Sequence, residues 1–313
     1  MKVFVTGVAG QLGHDVMNNL AARGYEGVGT DLAPEYSGAA DGTAVTRMPY
    51  VSLDITNEQQ VNDVIKKEKP DVVVHCAAWT DVDGAEEICN RASVNRVNVD
   101  GTRNIAKACK SIDCAMIYIS TDYVFNGNGN EPWTPDSSDY APLNVYGKSK
   151  LDGELAVSEI LKKYYIVRTA WVFGVNGKNF IKTMLNVGKK NDKLKVVSDQ
   201  IGTPTYTIDL ARLLIDMAEK QKYGYYHATN EGGYISWYDF TKEIFRQAVE
   251  MGHTEYSEDR LTVSPVTTAE YGVSKAARPF NSRLDKSKLV ENGFTPLPTW
   301  QDALSRYLKE IEF

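Results

Sequence analysis

A chain of 313 residues with 42% apolar and 24% charged residues reads as a soluble globular protein, long enough for one large domain or two modest ones. Its formal charge of −6 argues against a general nucleic-acid binder, because phosphate affinity comes from clustered Lys and Arg. No apolar run approaches the ~20 residues that span a bilayer, no secretory leader precedes the first glycine, and Cys76, Cys89, Cys109 and Cys114 lack metal-ligand spacing, so a cytoplasmic protein with no membrane or nucleic-acid partner is expected.

In chain order, KVFVT (2–6) predicts a strand, residues 10–23 a helix and YEGVGT (25–30) a second strand. A Gly/Ala/Pro-rich loop leads to a short strand, VSLDI (51–55), and a helix over 57–69 with Asn57 near its cap. DVVVHCA (71–77) is a continuous β-branched run of the kind buried on both faces. A helix over 93–113, the strand AMIYIS (115–120), a helix over 145–163 and the strands YYIVRTA (164–170) and KLKVVS (193–198) follow. Strands alternating with helices predict βαβ units and an α/β, Rossmann-like, doubly wound parallel sheet over residues 1–230. Beyond Glu231 the pattern changes. A helix over 236–251, interruptions at Pro265, Pro279, Pro296 and Pro298, and a last helix over 299–311 predict a smaller mixed α/β substrate-binding region over 231–313. Residues 174–192 are expected to join that substrate side.

TGVAGQLG (6–13) lies between the first strand and first helix, with Gly7, Gly10 and Gly13 at the spacing of a dinucleotide loop. Such a loop makes a tight turn, lets a diphosphate approach the backbone and offers it the amides of the helix start, here Gln11 and Leu12. Asp31 ends the second strand, where a carboxylate accepts hydrogen bonds from ribose hydroxyls and repels a 2′-phosphate. This favours NAD(H), with NADP(H) as the alternative; a plain turn cap is the other role open to Asp31. Asp54 and Ile55 hold the adenine edge or simply end a strand.

Three Tyr-xxx-Lys pairs occur: YGKSK (146–150), YDFTK (238–242) and YGVSK (271–275). With 18 Tyr, roughly one such match arises by chance, so position must choose between them. Tyr146 and Lys150 lie one helical turn apart, on the helix after the strand that carries Thr121. Strand C-terminal ends are where open α/β sheets place ligands. The other two pairs have no such strand upstream.

A Ser/Thr at a strand end followed by Tyr-xxx-Lys resembles the extended short-chain dehydrogenase/reductase superfamily. In that chemistry the lysine ammonium lowers the phenol pKa and holds the nicotinamide ribose, Thr121 donates to the substrate carbonyl, and Tyr146 donates the proton. More narrowly, HCAAWTDVDGAEE (75–87), VNVDGTRNIA (97–106), STDYVFNG (120–127), YGKSKLDGE (146–154), RTAWVFG (168–174), DQIGTPT (199–205) and RPFNSRLDKSKL (278–289) occur in order. This series resembles the dTDP-4-dehydrorhamnose reductase family over nearly the whole chain. The resemblance implies NAD(P)H-dependent reduction of the 4-keto group of a dTDP-6-deoxysugar for polysaccharide biosynthesis. It implies Thr121, Tyr146 and Lys150 as the catalytic set, with Val82, Asp122, Tyr123 and Trp171 at the sugar. It places Ala77, Ala78, Trp79, Thr80 and Asn98 at the cofactor. Core packing remains the other role for Trp171, and a structural amide the other role for Asn98. Some relatives use magnesium, but no residue cluster here obliges a metal, and a monomer or homodimer is expected. Another nucleotide 4-keto sugar reductase or epimerase, or a non-catalytic regulatory subunit on the same fold, are the alternatives.

Overall fold

The computed structural model describes residues 1–272 and 274–313. Its first half runs β1 (Lys2–Thr6), α1 (Gln11–Ala22), β2 (Glu26–Asp31), β3 (Tyr50–Ser52), α2 (Glu58–Glu68) and β4 (Val72–His75). The short α3 (Val82–Ala85), then α4 (Ile88–Asn95), α5 (Thr102–Ile112), β5 (Ala115–Thr121), α6 (Val145–Ile160) and β6 (Tyr164–Thr169) follow. Next come β7 (Val172–Phe173), α7 (Phe180–Gly188), β8 (Lys193–Val197), β9 (Ile201–Gly202), β10 (Thr205–Tyr206), α8 (Thr207–Ala218) and β11 (Gly224–His227). The chain ends with β12 (Ile235–Ser236), α9 (Trp237–Glu250), β13 (Thr262–Val266), α10 (Thr268–Tyr271), α11 (Ser287–Glu291) and α12 (Trp300–Leu308).

The main sheet has the order β11-β6-β5-β4-β1-β2-β3, with every neighbouring pair parallel. The chain winds outward from β1 to β3, then returns to lay β4 on the other side of β1. That reversal opens a crevice at the strand C-termini. Alternating residues of each strand feed opposite faces, as a two-residue period demands. Val3, Val5, Val74, Ile117 and Val167 pack with Leu20, Leu210 and Leu214 under α1 and α8. Phe4, Val73, Met116, Tyr118 and Ile166 pack with Ile65, Ile105 and Val157 under α2, α5 and α6. Truncating one such buried Leu or Ile to Ala costs about 2–5 kcal/mol.

A third core joins Phe173, Ile181, Leu185 and Tyr206 to Phe240, Ile244, Trp300 and Tyr307. KLKVVS is a strand but does not join the main sheet. Instead β8 pairs in parallel with β13, from Lys193↔Thr262 to Val197↔Val266. Lys193 and Lys195 are exposed, which a central parallel strand could not accommodate. The sheet edge beside β6 is filled by β11, a GYYH segment whose strand character was not read from sequence. The helices α7 and α8 were also unforeseen. The helix expected over 93–113 is broken by a π-helical turn, Arg96–Gly101, between α4 and α5. Among the described residues no helix is long and apolar enough to cross a membrane.

Candidate active site

At the crevice lies a cavity of about 740 Å³, lined by the ends of β1, β2, β4, β5 and β6 and the starts of α1, α6 and α9. Its floor begins with the glycine loop. Gly7 has φ +73°, and a Cβ there would lie 2.7 Å from the Ala77 amide nitrogen. At Gly13 a Cβ would lie 2.3 Å from the Gly7 carbonyl oxygen. Only glycine fits either place. The N-cap of α1, Gly10, provides no side-chain cap, and the first turn holds no acidic residue. The first amides of α1 therefore face the cavity with the positive end of the helix dipole. A diphosphate fits this cradle, so the residues present suit a dinucleotide.

Asp31 closes β2 beside that loop. Its carboxylate accepts from the Ala9 amide at 3.0 Å and from the Leu32 amide at 2.8 Å. Asp54 and Ile55 line the same end, and Ala77, Ala78, Trp79, Thr80 and Val82 continue the wall beyond β4. Asn98 stands apart. It is 1% exposed and does not line the cavity. From the π-helical turn its side chain accepts from the Trp79 amide at 2.8 Å, and donates to the Trp79 carbonyl at 3.1 Å and to Ser149 Oγ at 2.8 Å. It thereby ties the wall after β4 to the YGKSK helix.

Thr121, Tyr146 and Lys150 meet in the cavity. Asn144 caps α6 by accepting from the Gly147 amide at 2.7 Å, which fixes the helix start and the angle at which Tyr146 leaves it. The ring of Tyr146 meets Tyr123 edge-on at 5.9 Å. Burial raises the Tyr146 phenol above its ordinary value, with the Asp122 charge adding and a hydrogen bond with Thr121 opposing. The expected depression by the lysine is thus absent in the protein alone, where burial sets the direction of the shift. Lys150 is itself pushed down to about 7 by burial, against the pull of Glu154 and Cys76. Its ammonium sits 4.1 Å above the Tyr118 ring. A lysine near neutrality is a weak source of positive potential.

Asp122 is 2% exposed and raised to about 6 by burial, with the nearby Ser282 and Thr121 hydroxyls opposing the shift. Thr121 Oγ1 donates to its Oδ1 at 3.0 Å, while Oδ2 has no partner among the described residues. An orphaned acceptor in a cavity wall is suited to a ligand hydroxyl. Across from it, Trp171 has φ +51°, a left-handed conformation that a bulky residue adopts at a cost of about 1–3 kcal/mol. The twist lays its ring on Trp237, with centroids 3.6 Å apart and planes 15° apart.

The other two tyrosine–lysine pairs do not reach the cavity. On α9, Lys242 pairs with Glu258. Tyr271 is exposed at the end of α10 and Lys275 pairs with Glu87; Val273 of that motif lies outside the described residues.

The RmlD substrate binding domain family matches residues 1–313. The chain belongs to this family. A dTDP-4-dehydrorhamnose reductase of Aggregatibacter actinomycetemcomitans is 39% identical over 311 residues, covering 97% of each chain. The crystal structure of a dTDP-4-dehydrorhamnose reductase from Clostridium acetobutylicum superimposes with a TM-score of 0.86 at 39% identity, over 99% of both chains. That of Bacillus anthracis dTDP-4-dehydrorhamnose reductase in complex with NADP gives 0.84 at 37% identity, again over 99% of both.

Within this RmlD-family chain, several lining residues escaped the sequence reading, among them Ser120, Thr169, Lys178 and Trp237. Trp237 carried the clearest signal, a tryptophan directly after the N-cap Ser236. Lys178 gave none, since an exposed lysine in a glycine-containing loop is ordinary.

Proposed function

We propose that this chain, an NAD(P)H-dependent oxidoreductase, reduces the 4-keto group of dTDP-4-dehydro-6-deoxy-L-mannose to give dTDP-L-rhamnose, with Tyr146 as proton donor. The observation that carries this reading is the placement of Tyr146, Thr121 and Lys150 together in the cavity that begins at the glycine cradle. When bound at that cradle, the reduced nicotinamide supplies the hydride. A phenol held above its ordinary value is protonated at neutral pH, the state a donor needs. Thr121 is the second hydroxyl on the carbonyl oxygen, and stabilises the negative charge that develops there. Lys150 steadies the nicotinamide ribose. Asp122 Oδ2 and Tyr123 take sugar hydroxyls, and the Trp171–Trp237 stack offers an aromatic face to the apolar side of the pyranose. Asp31 favours NADH, since its carboxylate repels a 2′-phosphate.

The test is a coupled assay in which dTDP-4-keto-6-deoxy-L-lyxo-hexulose is generated in situ and NADH or NADPH absorbance is followed. Stoichiometric oxidation with formation of dTDP-L-rhamnose is expected. No oxidation of either cofactor would overturn the proposal.

A further inference from the structure

The loop from Gly174 to Asn179 is fastened to the glycine loop and the start of α1. Gln11 Oε1, in the first turn of α1, accepts from the Gly174 amide at 2.9 Å and from Asn179 Nδ2 at 3.1 Å. Asn176 Nδ2 donates to the Ala9 carbonyl at 2.7 Å and to the Gly10 carbonyl at 3.2 Å, while its Oδ1 accepts from the Ala39 amide at 3.1 Å. A Cβ on Gly177 would sit 3.5 Å from Gln11 Cγ, so the loop lies directly against the start of α1. From α7, Lys182 Nζ donates to the Gly177 carbonyl at 2.9 Å and braces the turn.

Lys178 sits between these anchors, exposed, and lines the cavity with Gly10 and Gln11. Among the described residues that line the cavity, Lys150 and Lys178 are the only cations, facing Asp31, Asp54 and Asp122. Lys150 lies at the phenol. The cradle's amides carry only partial charge, so a full positive charge beside them strengthens the hold on a diphosphate placed there.

We propose that Lys178 is a diphosphate-binding residue, carried on a loop that the Asn176, Asn179 and Gln11 hydrogen bonds hold against the glycine cradle, and that it pairs with the cofactor's diphosphate. The proposal rests on the dinucleotide reading of the cradle. It also gives the fastening a purpose: the loop belongs to the segment that leads into the third core, so the same contacts join the cofactor site to the substrate side.

Lys178→Met and Lys178→Arg are titrated in the full-length protein with NADH, ADP-ribose, adenosine and dTDP, at low and high salt. Lys178→Met is expected to weaken NADH and ADP-ribose roughly tenfold at low salt, with less loss at high salt, and to leave adenosine unchanged. Lys178→Arg is expected to restore affinity. Unchanged NADH and ADP-ribose binding overturns the assignment, as does a loss confined to dTDP, which would place the lysine at the substrate's diphosphate. If the wild-type protein binds neither NADH nor ADP-ribose, the dinucleotide reading fails and takes this inference with it. Normal wild-type binding with an inert Lys178→Met sinks the lysine alone.

Discussion

Arg168 holds Glu154 through two hydrogen bonds, Nε to Oε1 at 2.9 Å and Nη2 to Oε2 at 2.7 Å, and both side chains are fully buried. The guanidinium also donates to Tyr140 Oη at 3.0 Å and to the Pro135 carbonyl at 3.2 Å, and stacks over Phe125 and Tyr225. Glu154 lies one helical turn beyond Lys150, whose pKa its charge pulls upward. Breaking a buried pair by removing one partner strands the other charge. Arg168→Leu is therefore expected to lower unfolding free energy by about 3–5 kcal/mol, while Arg168→Leu with Glu154→Leu recovers most of it. Urea unfolding of both variants checks this; equal losses in the single and double variants would contradict it.

Asp31 predicts cofactor preference. Among the described residues that line the cavity the only cations are Lys150, which lies at the phenol, and Lys178, assigned above to the diphosphate. A 2′-phosphate beside that carboxylate meets repulsion without compensation. The expected result is a higher kcat/KM with NADH than with NADPH, and a narrowed ratio in Asp31→Ser. Wild-type preference for NADPH would overturn this role for the carboxylate.

Trp237 predicts a division between the two ligands. Trp237→Ala removes half of the aromatic stack while leaving the glycine cradle untouched. KM for the nucleotide sugar is expected to rise roughly tenfold, with NADH affinity unchanged. Equal loss of both affinities would mean that the ring acts through general folding of the site.

The doubly wound sheet was legible because its central strands are uninterrupted apolar runs, VFV and VVV, and its first helix opens on a glycine loop. KLKVVS misled because strand propensity says nothing about which strand lies beside it; only the exposed lysines excluded the main sheet. The helices α7 and α8 were less legible: TIDLARLLIDMA has helical spacing, but short apolar runs such as its LLI are shared by buried strands and buried helices alike. At the site, residues carried by motifs could be named in advance: Gly7, Thr121, Tyr146, Lys150 and Trp171. Trp237 and Lys178 could not, because they arrive from segments remote in sequence and only tertiary packing brings them to the cavity. The phenol's upward shift was equally hidden, for burial is a property of the folded surroundings.

Asp122 predicts a pH dependence of stability. Its folded pKa of about 6 lies above the ordinary value of 3.8. Below about pH 4 the carboxyl is protonated in both states, and burial carries no charge penalty. As pH rises through 6 the folded protein must hold a buried carboxylate, so stability is lost across pH 4–6, by up to about 3 kcal/mol. Asp122→Asn is expected to flatten this part of the profile and to exceed wild-type stability above pH 6. Parallel profiles for the two proteins would contradict the burial argument.

Proton donation by Tyr146 is tested by Tyr146→Phe. NADH oxidation in the presence of the keto sugar is measured alongside NADH affinity of the same preparation. Turnover is expected to fall roughly 10²–10⁴-fold with cofactor affinity retained. Wild-type turnover by the phenylalanine variant would contradict it.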